Sequence, residues 1–382
     1  MQLRHIGELN LLKEIRKRFS SAPQTEDSGI IIGIGDDAAV IAPRKEKLLV
    51  TTDMMNEGVH FDLGVTAPFP LGFKLVSVNV SDIMAMGGRP AYLFLNIALK
   101  NDADEDFFWG LYEGISAALD AYKVKLLGGD LSSALHDTVL SATVIGVGDK
   151  VITRGGASAG DKIYVTSTVG DSACGLEILK RLTPESRNMV QSSKFKVQSE
   201  GKEKKLLSLS QGSSTVFLDR HIAEPLLRRH LMPVARDSGR VSPYATSMID
   251  VSDGLFIDLC RLCDESKTGA RVYLDRIPVS NEMRQAAELL GLDPLYLATS
   301  GGEDYELLFT APPDAVISNI NDSNKLPVTS YGLKDKEDTE DPSLPLKVTC
   351  IGEITAESRT VVDKTGRESI LRSEGYQHFG AP

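Results

Sequence analysis

Hydrophobic positions along the chain recur with two different periods, and the switches between them mark out its elements. Residues 30 to 34 and 47 to 53 are short apolar runs ending in polar turns that carry Asp, so both are expected as strands. Residues 71 to 86 show helical spacing and run into Gly87 and Gly88, a helix with its stop signal. The run AYLFLNIAL follows at once as a strand, and Phe108, Leu111, Ile115, Leu119 and Tyr122 then repeat at helical spacing. VKLLGG and TVLSATVIGVG read as two further strands, completing one α/β layer.

The small, Gly-rich stretch ITRGGASAGD at 152 to 161 precedes a new alternating strand, KIYVTST, and places a domain boundary between 1–150 and 151–382. The second half reads as a helix capped by Asp171, a helix around 219 to 231 and a strand-to-helix turn in SMIDVSDGLFIDL. A helix near 280 to 291 and strands at 304 to 310 and 347 to 354 complete it. This order lacks regular βαβ alternation, which predicts an α+β architecture rather than a doubly wound sheet. Residues 184 to 215 are rich in Ser, Lys, Gln and Glu with little apolar period, and are expected as a mobile polar insertion, a surface loop or a lid. VNVSD (78 to 82) and IDVSD (249 to 253) hint at related halves, but five residues do not establish a duplication.

Charge narrows the choice of partner. With 42 Lys and Arg against 53 Asp and Glu the net charge is -11, which disfavours nucleic acid or an anionic membrane. Aspartates clustered in one pocket would instead suit Mg²⁺. The four cysteines are scattered, as in a reducing compartment, and Cys260 and Cys263 are expected as buried thiols on a helix face. The longest apolar run, 91 to 99, is broken by Asn96 and falls short of the roughly 20 residues that span a bilayer. The segment MQLRHIGELN has no secretory apolar region, so a cytoplasmic location is expected.

No phosphate loop of the G-x-x-x-x-G-K-[ST] type, no H-R-D with D-F-G and no convincing G-x-G-x-x-G are present. What recurs is Asp beside Gly, Ser or Thr: GIGDDAAV (33 to 40), TTD (51 to 53), VSD (80 to 82), GGD (128 to 130), IDVSDG (249 to 254) and GGED (301 to 304). Small neighbours let bulky anions approach, while carboxylates and hydroxyls supply oxygen ligands for Mg²⁺. Singly, such motifs build turns or cap helices. Six in one chain favour metal-bridged phosphate binding. Asn79 and Asp82, three apart, share one face of a predicted helix.

GIGDDAAV, TTDMMNEGVHF, VSVNVSDIMAMGGRPAY, LLGGD, TRGGASAGDKIYVT, GDSACGL, MIDVSDGL, SGGEDYELLFT and IGEIT, in this order and spacing, resemble the thiamine-monophosphate kinase family. That family belongs to the ATP-binding superfamily of aminoimidazole ribonucleotide synthetase. The resemblance implies a two-domain fold of that superfamily: an N-terminal mixed sheet with helices for ATP, magnesium and dimerisation, then a C-terminal α+β domain. It implies transfer of the γ-phosphoryl group of ATP to thiamine monophosphate, by a homodimer in which the N-terminal sheets of two chains pair. Magnesium is placed by the same resemblance at Asp37, Thr51, Thr52, Asp53, Asp82, Asp130, Asp250 and Asp253, with Asp36 adjacent. ATP is placed against Tyr112, Gly129, Asp130, Arg154 and Ser252, and the thiamine substrate near His60, Glu303 and Tyr376. Asp53, Asp82, Asp130 and Asp250 are the residues implied in catalysis.

Each assignment has a plainer counterpart. Tyr112 also fits helix-face packing, Arg154 an ion pair with a surface carboxylate, and His60 a hydrogen-bonded loop histidine. Tyr376 also fits an anchor for the segment EGYQHFG, and Glu303 a solvated turn acid. The chain departs from the family in its insertion at 184 to 215, and in RRHLMPVAR (228 to 236), which lacks the second proline of the family's HLxPxPR. Two other functions remain as alternatives, a different ATP-dependent synthetase of the superfamily and a catalytically silent nucleotide-binding protein. The reactive cysteines of selenophosphate synthetases and hydrogenase-maturation relatives are missing from the places where they would be expected.

Overall fold

The computed structural model describes residues 6, 8–19, 29–32, 39–192, 206–212, 214–315, 317 and 346–378. Contacts divide the chain into two compact units, one from residues up to Lys150 and one from Val151 onward, the latter including Ala85–Gly87.

The N-terminal unit runs α1 (Glu8–Phe19), β1 (Ile30–Ile32), β2 (Val40–Ile41), β3 (Lys47–Asn56), α2 (Pro68–Ala85), β4 (Arg89–Lys100), α3 (Glu105–Tyr122), β5 (Lys125–Ala134) and β6 (Val139–Gly148). Four strands form a sheet in the order β3-β6-β4-β5. Only β4 and β5 are parallel in it, joined through α3 as a crossover connection requires. Strand alternation puts Leu49 and Met55 of β3 on the buried side. Leu48, Val50 and Met54 are 60%, 65% and 56% exposed on the other. Helix α2 ends where Gly87 turns left-handed (φ 75°) and the Gly88 N–H donates to Ile83 O at 3.0 Å. Its crossing with α3 is made by glycines: a Cβ on Gly72 would stand 2.0 Å from Leu111 O, and one on Gly114 1.9 Å from Phe69 O.

The C-terminal unit continues with β7 (Lys162–Thr166), α4 (Asp171–Arg181), α5 (Pro184–Ser192), β8 (Leu206–Gln211), β9 (Ser214–Asp219) and α6 (Arg220–Leu231). Then come β10 (Ser247–Asp250), α7 (Leu255–Ser266), β11 (Gly269–Tyr273), α8 (Asn281–Leu290), α9 (Pro294–Ser300), β12 (Leu307–Ala311), β13 (Val348–Thr355), β14 (Arg359–Val362) and β15 (Glu368–Ile370). Seven strands form one mixed sheet in the order β10-β12-β7-β13-β11-β14-β15. Met248, Leu307, Phe309 and Ala311 of its strands join Ile152 and Val241 in one apolar core. Helix α4 packs on α6 and α6 on α8. Cys260 and Cys263 are buried, reduced thiols on α7, as expected.

Three expectations are corrected here. The cap of α4 is Gly170, left-handed at φ 87°, where a Cβ would meet Ala298 N at 2.6 Å; Asp171 is the first helical residue. Within 184–215 the described residues form α5 and the β8–β9 hairpin, while 193–205 and 213 lie outside them. Leu207, Leu209 and Leu218 are buried, and the hairpin is tied back where the Thr183 N–H donates to Ser208 O at 3.1 Å. The strand expected from residue 304 begins only at Leu307, because Glu303 and Tyr305 are both left-handed, at φ 65° and 52°.

Adding a methyl group at the α2–α3 crossing forces two helix backbones apart. Gly114→Ala is expected to destabilise the protein by about 1–3 kcal/mol in a denaturant titration, the usual cost of overpacking. An unchanged midpoint would contradict the close approach.

Candidate active site

In the N-terminal unit, β3 and α2 gather three of the expected ligands. The Thr51 hydroxyl donates to Asp82 Oδ2 at 2.6 Å. The Asp53 N–H donates to Asn79 Oδ1 at 3.0 Å, and Asn79 Nδ2 donates to Leu75 O at 2.9 Å. Fully buried Asn79 thus fixes the strand against the helix at Asp53. Thr52 points to the opposite face, donating to Ala142 O at 3.0 Å and accepting from Thr143 Oγ1 at 3.1 Å. Its hydroxyl therefore does not join the oxygen-bearing side chains of Thr51, Asp53 and Asp82. Asp36 and Asp37 lie outside the described residues.

Register relates Asp53 to the remaining acid of this unit. Asp53 pairs with Ala142, Ala142 with Leu95 and Leu95 with Gly129, so the two outer strands are three strand spacings apart, about 14 Å along the sheet. Asp130, next to Gly129, is exposed. Only glycine fits at 129: its φ is 152° and a Cβ would lie 1.8 Å from Leu95 O. His60 follows β3, with Nδ1 accepting the Asn56 N–H at 3.0 Å. Tyr112 is enclosed by Phe108, Trp109 and Phe19, with ring centroids at 4.8, 6.2 and 6.0 Å, and burial pushes its hydroxyl well above the usual phenol range. Its surroundings are those of core packing rather than of a wall for adenine.

In the C-terminal unit five expected residues come together. Asp250 closes β10, almost fully buried, and the chain then turns through Ser252 and Asp253 into α7. The N–H groups of Ser252, Asp253 and Gly254 all donate to Asp258 Oδ2, at 3.0, 3.0 and 3.2 Å. These N–H groups belong to the turn that precedes Leu255, the first helical residue, and are collected by one carboxylate in the first turn of the helix. Arg261 bridges Asp253 and Asp258 at 2.5 and 2.7 Å. The Glu303 N–H donates to Ser252 O at 2.7 Å, and the Tyr376 N–H to Asp253 O at 2.9 Å. Asp250, Ser252, Asp253, Glu303 and Tyr376 thus lie on adjoining backbone segments. Arg154 is exposed on a loop organised by Ser266 Oγ, which donates to Arg154 O at 2.8 Å and accepts from the Gly156 and Ala157 N–H groups at 3.1 Å.

The residues that hold these loops lie within the sequence motifs but are assigned no role there. Burial pushes Asp258 up to about 6 and Asp304 up to about 7, outweighing the hydrogen bonds and the Arg neighbours that favour their charged forms. Asp304 accepts the Gly170 N–H at 2.6 Å and the Ser172 N–H at 3.2 Å. Glu306, fully buried, accepts from Thr166 Oγ1 at 2.6 Å, from Arg229 at 2.5 Å and from Arg236 at 2.7 to 3.0 Å. Asp258 carried a legible signal, an acid four residues beyond Asp-Gly in SDGLFID. Thr51, Asp53, Asp82, Asp250 and Asp253 offer only hard oxygen donors, which fit magnesium rather than zinc or copper. Among the described residues no three His, Cys, Asp or Glu side chains gather closely enough to hold an ion by themselves.

Residues 35–148 match the family model "AIR synthase related protein, N-terminal domain", and 158–323 match "AIR synthase related protein, C-terminal domain". The fold is thus the two-domain α+β arrangement of that class. The thiamine-monophosphate kinase of Aquifex aeolicus (strain VF5) is 33% identical over 320 residues, 82% of this chain and 89% of the relative. The crystal structure of thiamine-monophosphate kinase from Stenotrophomonas maltophilia K279a is 32% identical, covering 94% of this chain and 96% of that one, with a TM-score of 0.68. A structure described as AaThiL complexed with AMPPCP and TMP is 30% identical, covers 99% of both chains and has a TM-score of 0.65. The chain belongs to the thiamine-monophosphate kinase family, and is an enzyme of the phosphotransferase class.

A buried acid whose proton is held more tightly in the fold than in the unfolded chain stabilises most below its unfolded pKa, and this contribution fades as pH rises through the folded value. For Asp304 the window is from about 4 to about 7. The difference in melting temperature between wild type and Asp304→Asn is therefore expected to be larger at pH 5 than at pH 8. A gap that widens with rising pH would contradict burial as the dominant influence.

Proposed function

We propose that the chain transfers the γ-phosphoryl group of ATP directly to the phosphate of thiamine monophosphate, giving thiamine diphosphate and ADP. The observation that carries this reading is the likeness, along nearly the whole of both chains, to the structure described with AMPPCP and TMP. The local geometry supports it, since Thr51 Oγ1 is hydrogen-bonded to Asp82, and the backbone N–H groups of Asp53 and Ser252 are held by the side chains of Asn79 and Asp258.

Donor and acceptor are both anions, and acidic side chains alone would add to their repulsion. Asp53, Asp82, Asp130, Asp250 and Asp253, with Thr51 and with Asp37 from the undescribed stretch, are the residues we assign to magnesium. Bound magnesium would neutralise phosphate charge and favour in-line displacement. Asp53 and Asp130 are too far apart along the sheet to share one ion, so we assign them to different ions. Gly129, Asp130, Arg154 and Ser252 are the residues we assign to ATP. His60, Glu303 and Tyr376 are assigned to the thiamine substrate. The acceptor phosphate has a second pKa near 6 and is already anionic at neutral pH, so no general base is required of the chain. Catalysis then rests on positioning and electrostatics, without a phosphoenzyme.

The direct test is to incubate purified protein with MgATP and thiamine monophosphate and assay thiamine diphosphate. Product that depends on both substrates is expected, and ATP turnover indifferent to thiamine monophosphate would contradict the assignment. Asp53→Asn should lower turnover by about 100-fold or more with an unchanged melting temperature. Near-normal activity at saturating Mg²⁺ would remove Asp53 from the site.

The open face of β3, with Leu48, Val50 and Met54 exposed in a row, supports pairing with a second copy, because so apolar a strip is unfavourable in water. Light scattering should give twice the 41.4 kDa chain mass, and Val50→Glu should give the single mass. A wild-type protein of single mass would contradict the dimer. No described helix is long and apolar enough to cross a membrane, and we place the enzyme's work in the cytoplasm.

A further inference from the structure

Three stretches that stood apart in the sequence, GDSACGL, RRHLMPVAR and SGGEDYELLFT, meet at one buried point of the C-terminal unit. His230 on α6 is 7% exposed. Its Nδ1 lies 3.2 Å from Glu303 Oε2 and 3.2 Å from Ser172 Oγ. The Ser172 N–H in turn donates to Asp304, the neighbour of Glu303. On the far side of that residue, Arg229 and Arg236, from the same segment as His230, grip Glu306. The loop they hold is unusual: Glu303 and Tyr305 are both left-handed without being glycine, a conformation that persists only where the surroundings enforce it.

A carboxylate can only accept, so the contact between His230 and Glu303 puts the imidazole proton on Nδ1. A glutamate on a surface loop ordinarily samples many rotamers, and ordering it costs conformational entropy each time a ligand is bound. Here one oxygen is engaged by a buried ring while the side chain remains 27% exposed, so it reaches the surface already oriented. The thiazolium ring of a thiamine substrate is cationic, and a carboxylate fixed in place suits it better than a mobile one.

We propose that His230 is a positioning residue for the thiamine substrate, acting through Glu303: the Nδ1–H holds Oε2, and the Arg229–Glu306–Arg236 cluster fixes the left-handed backbone that carries the side chain. This rests on the reading of Glu303 as a substrate contact.

The test is steady-state kinetics of the full-length enzyme for wild type, His230→Ala, His230→Asn, Glu303→Gln and the double variant His230→Ala with Glu303→Gln, with a melting temperature for each. His230→Ala should raise KM for thiamine monophosphate about tenfold, the loss of one hydrogen bond to a charged group, and leave kcat and KM for ATP within about twofold. His230→Asn, whose side-chain N–H can stand in for Nδ1–H, should recover most of the loss. The double variant should match Glu303→Gln alone, because removing the ring matters only through the carboxylate. Effects that add in the double variant, or KM values for both substrates rising together with a fall in melting temperature, would overturn the positioning role and leave His230 as core packing. A Glu303→Gln enzyme with normal KM would overturn the substrate reading itself. A Glu303→Gln enzyme with raised KM beside an unaffected His230→Ala enzyme would overturn only the inference made here.

Discussion

Acidic loops repel one another and unfold outward unless their backbones are held from inside. In the C-terminal unit that restraint comes from a second, buried set of carboxylates. Asp258 collects the N–H groups of Ser252, Asp253 and Gly254, and Asp304 collects those of Gly170 and Ser172. Glu306 is enclosed by two guanidinium groups and a threonine hydroxyl. An uncompensated charge in such positions would cost several kcal/mol, so each is saturated with donors.

The N-terminal unit reaches the same result with a neutral residue. Asn79 accepts from the Asp53 backbone and donates to its own helix, locking strand to helix without burying a charge. The two-residue period of β3 then decides which neighbours share a face. Thr51 and Asp53 look toward α2, while Thr52 looks the other way with Leu48, Val50 and Met54. One strand thereby presents oxygen donors on one side and an apolar strip on the other. Glycines stand at the closest backbone contacts, Gly114 of α3 against α2 and Gly129 of β5 against β4.

Much of this was legible in the sequence. The helical spacing of residues 71 to 86 and the alternation in TVLSATVIGVG led directly to α2 and β6, and the Asp-with-small-residue motifs marked Thr51, Asp53 and Asp82 in the N-terminal unit and the Asp250–Gly254 turn in the C-terminal unit. Alternation along TTD separates Thr52 from its neighbours. Asp304, Glu306, Arg229 and Arg236 were harder to read, because charged letters in a sequence look like solvated surface until their partners, 70 or more residues away, are known. The hairpin β8–β9 was hidden by serines alternating with leucines inside a polar stretch, where composition outweighed a real two-residue period. Of the two readings open for Tyr112, helix-face packing and an adenine contact, its burial beside Phe108 favours the packing.

Amide hydrogen exchange at Ser252, Asp253 and Gly254 tests the central claim most directly, because these groups lie in a connection that would exchange rapidly if it were an ordinary loop. Bonded to Asp258, they are expected to exchange as slowly as the amides of the neighbouring helix, and to become fast in Asp258→Ala while the amides of the central strands stay protected. Rapid exchange at all three in the wild-type protein would contradict the idea that buried carboxylates hold the acidic loops in place.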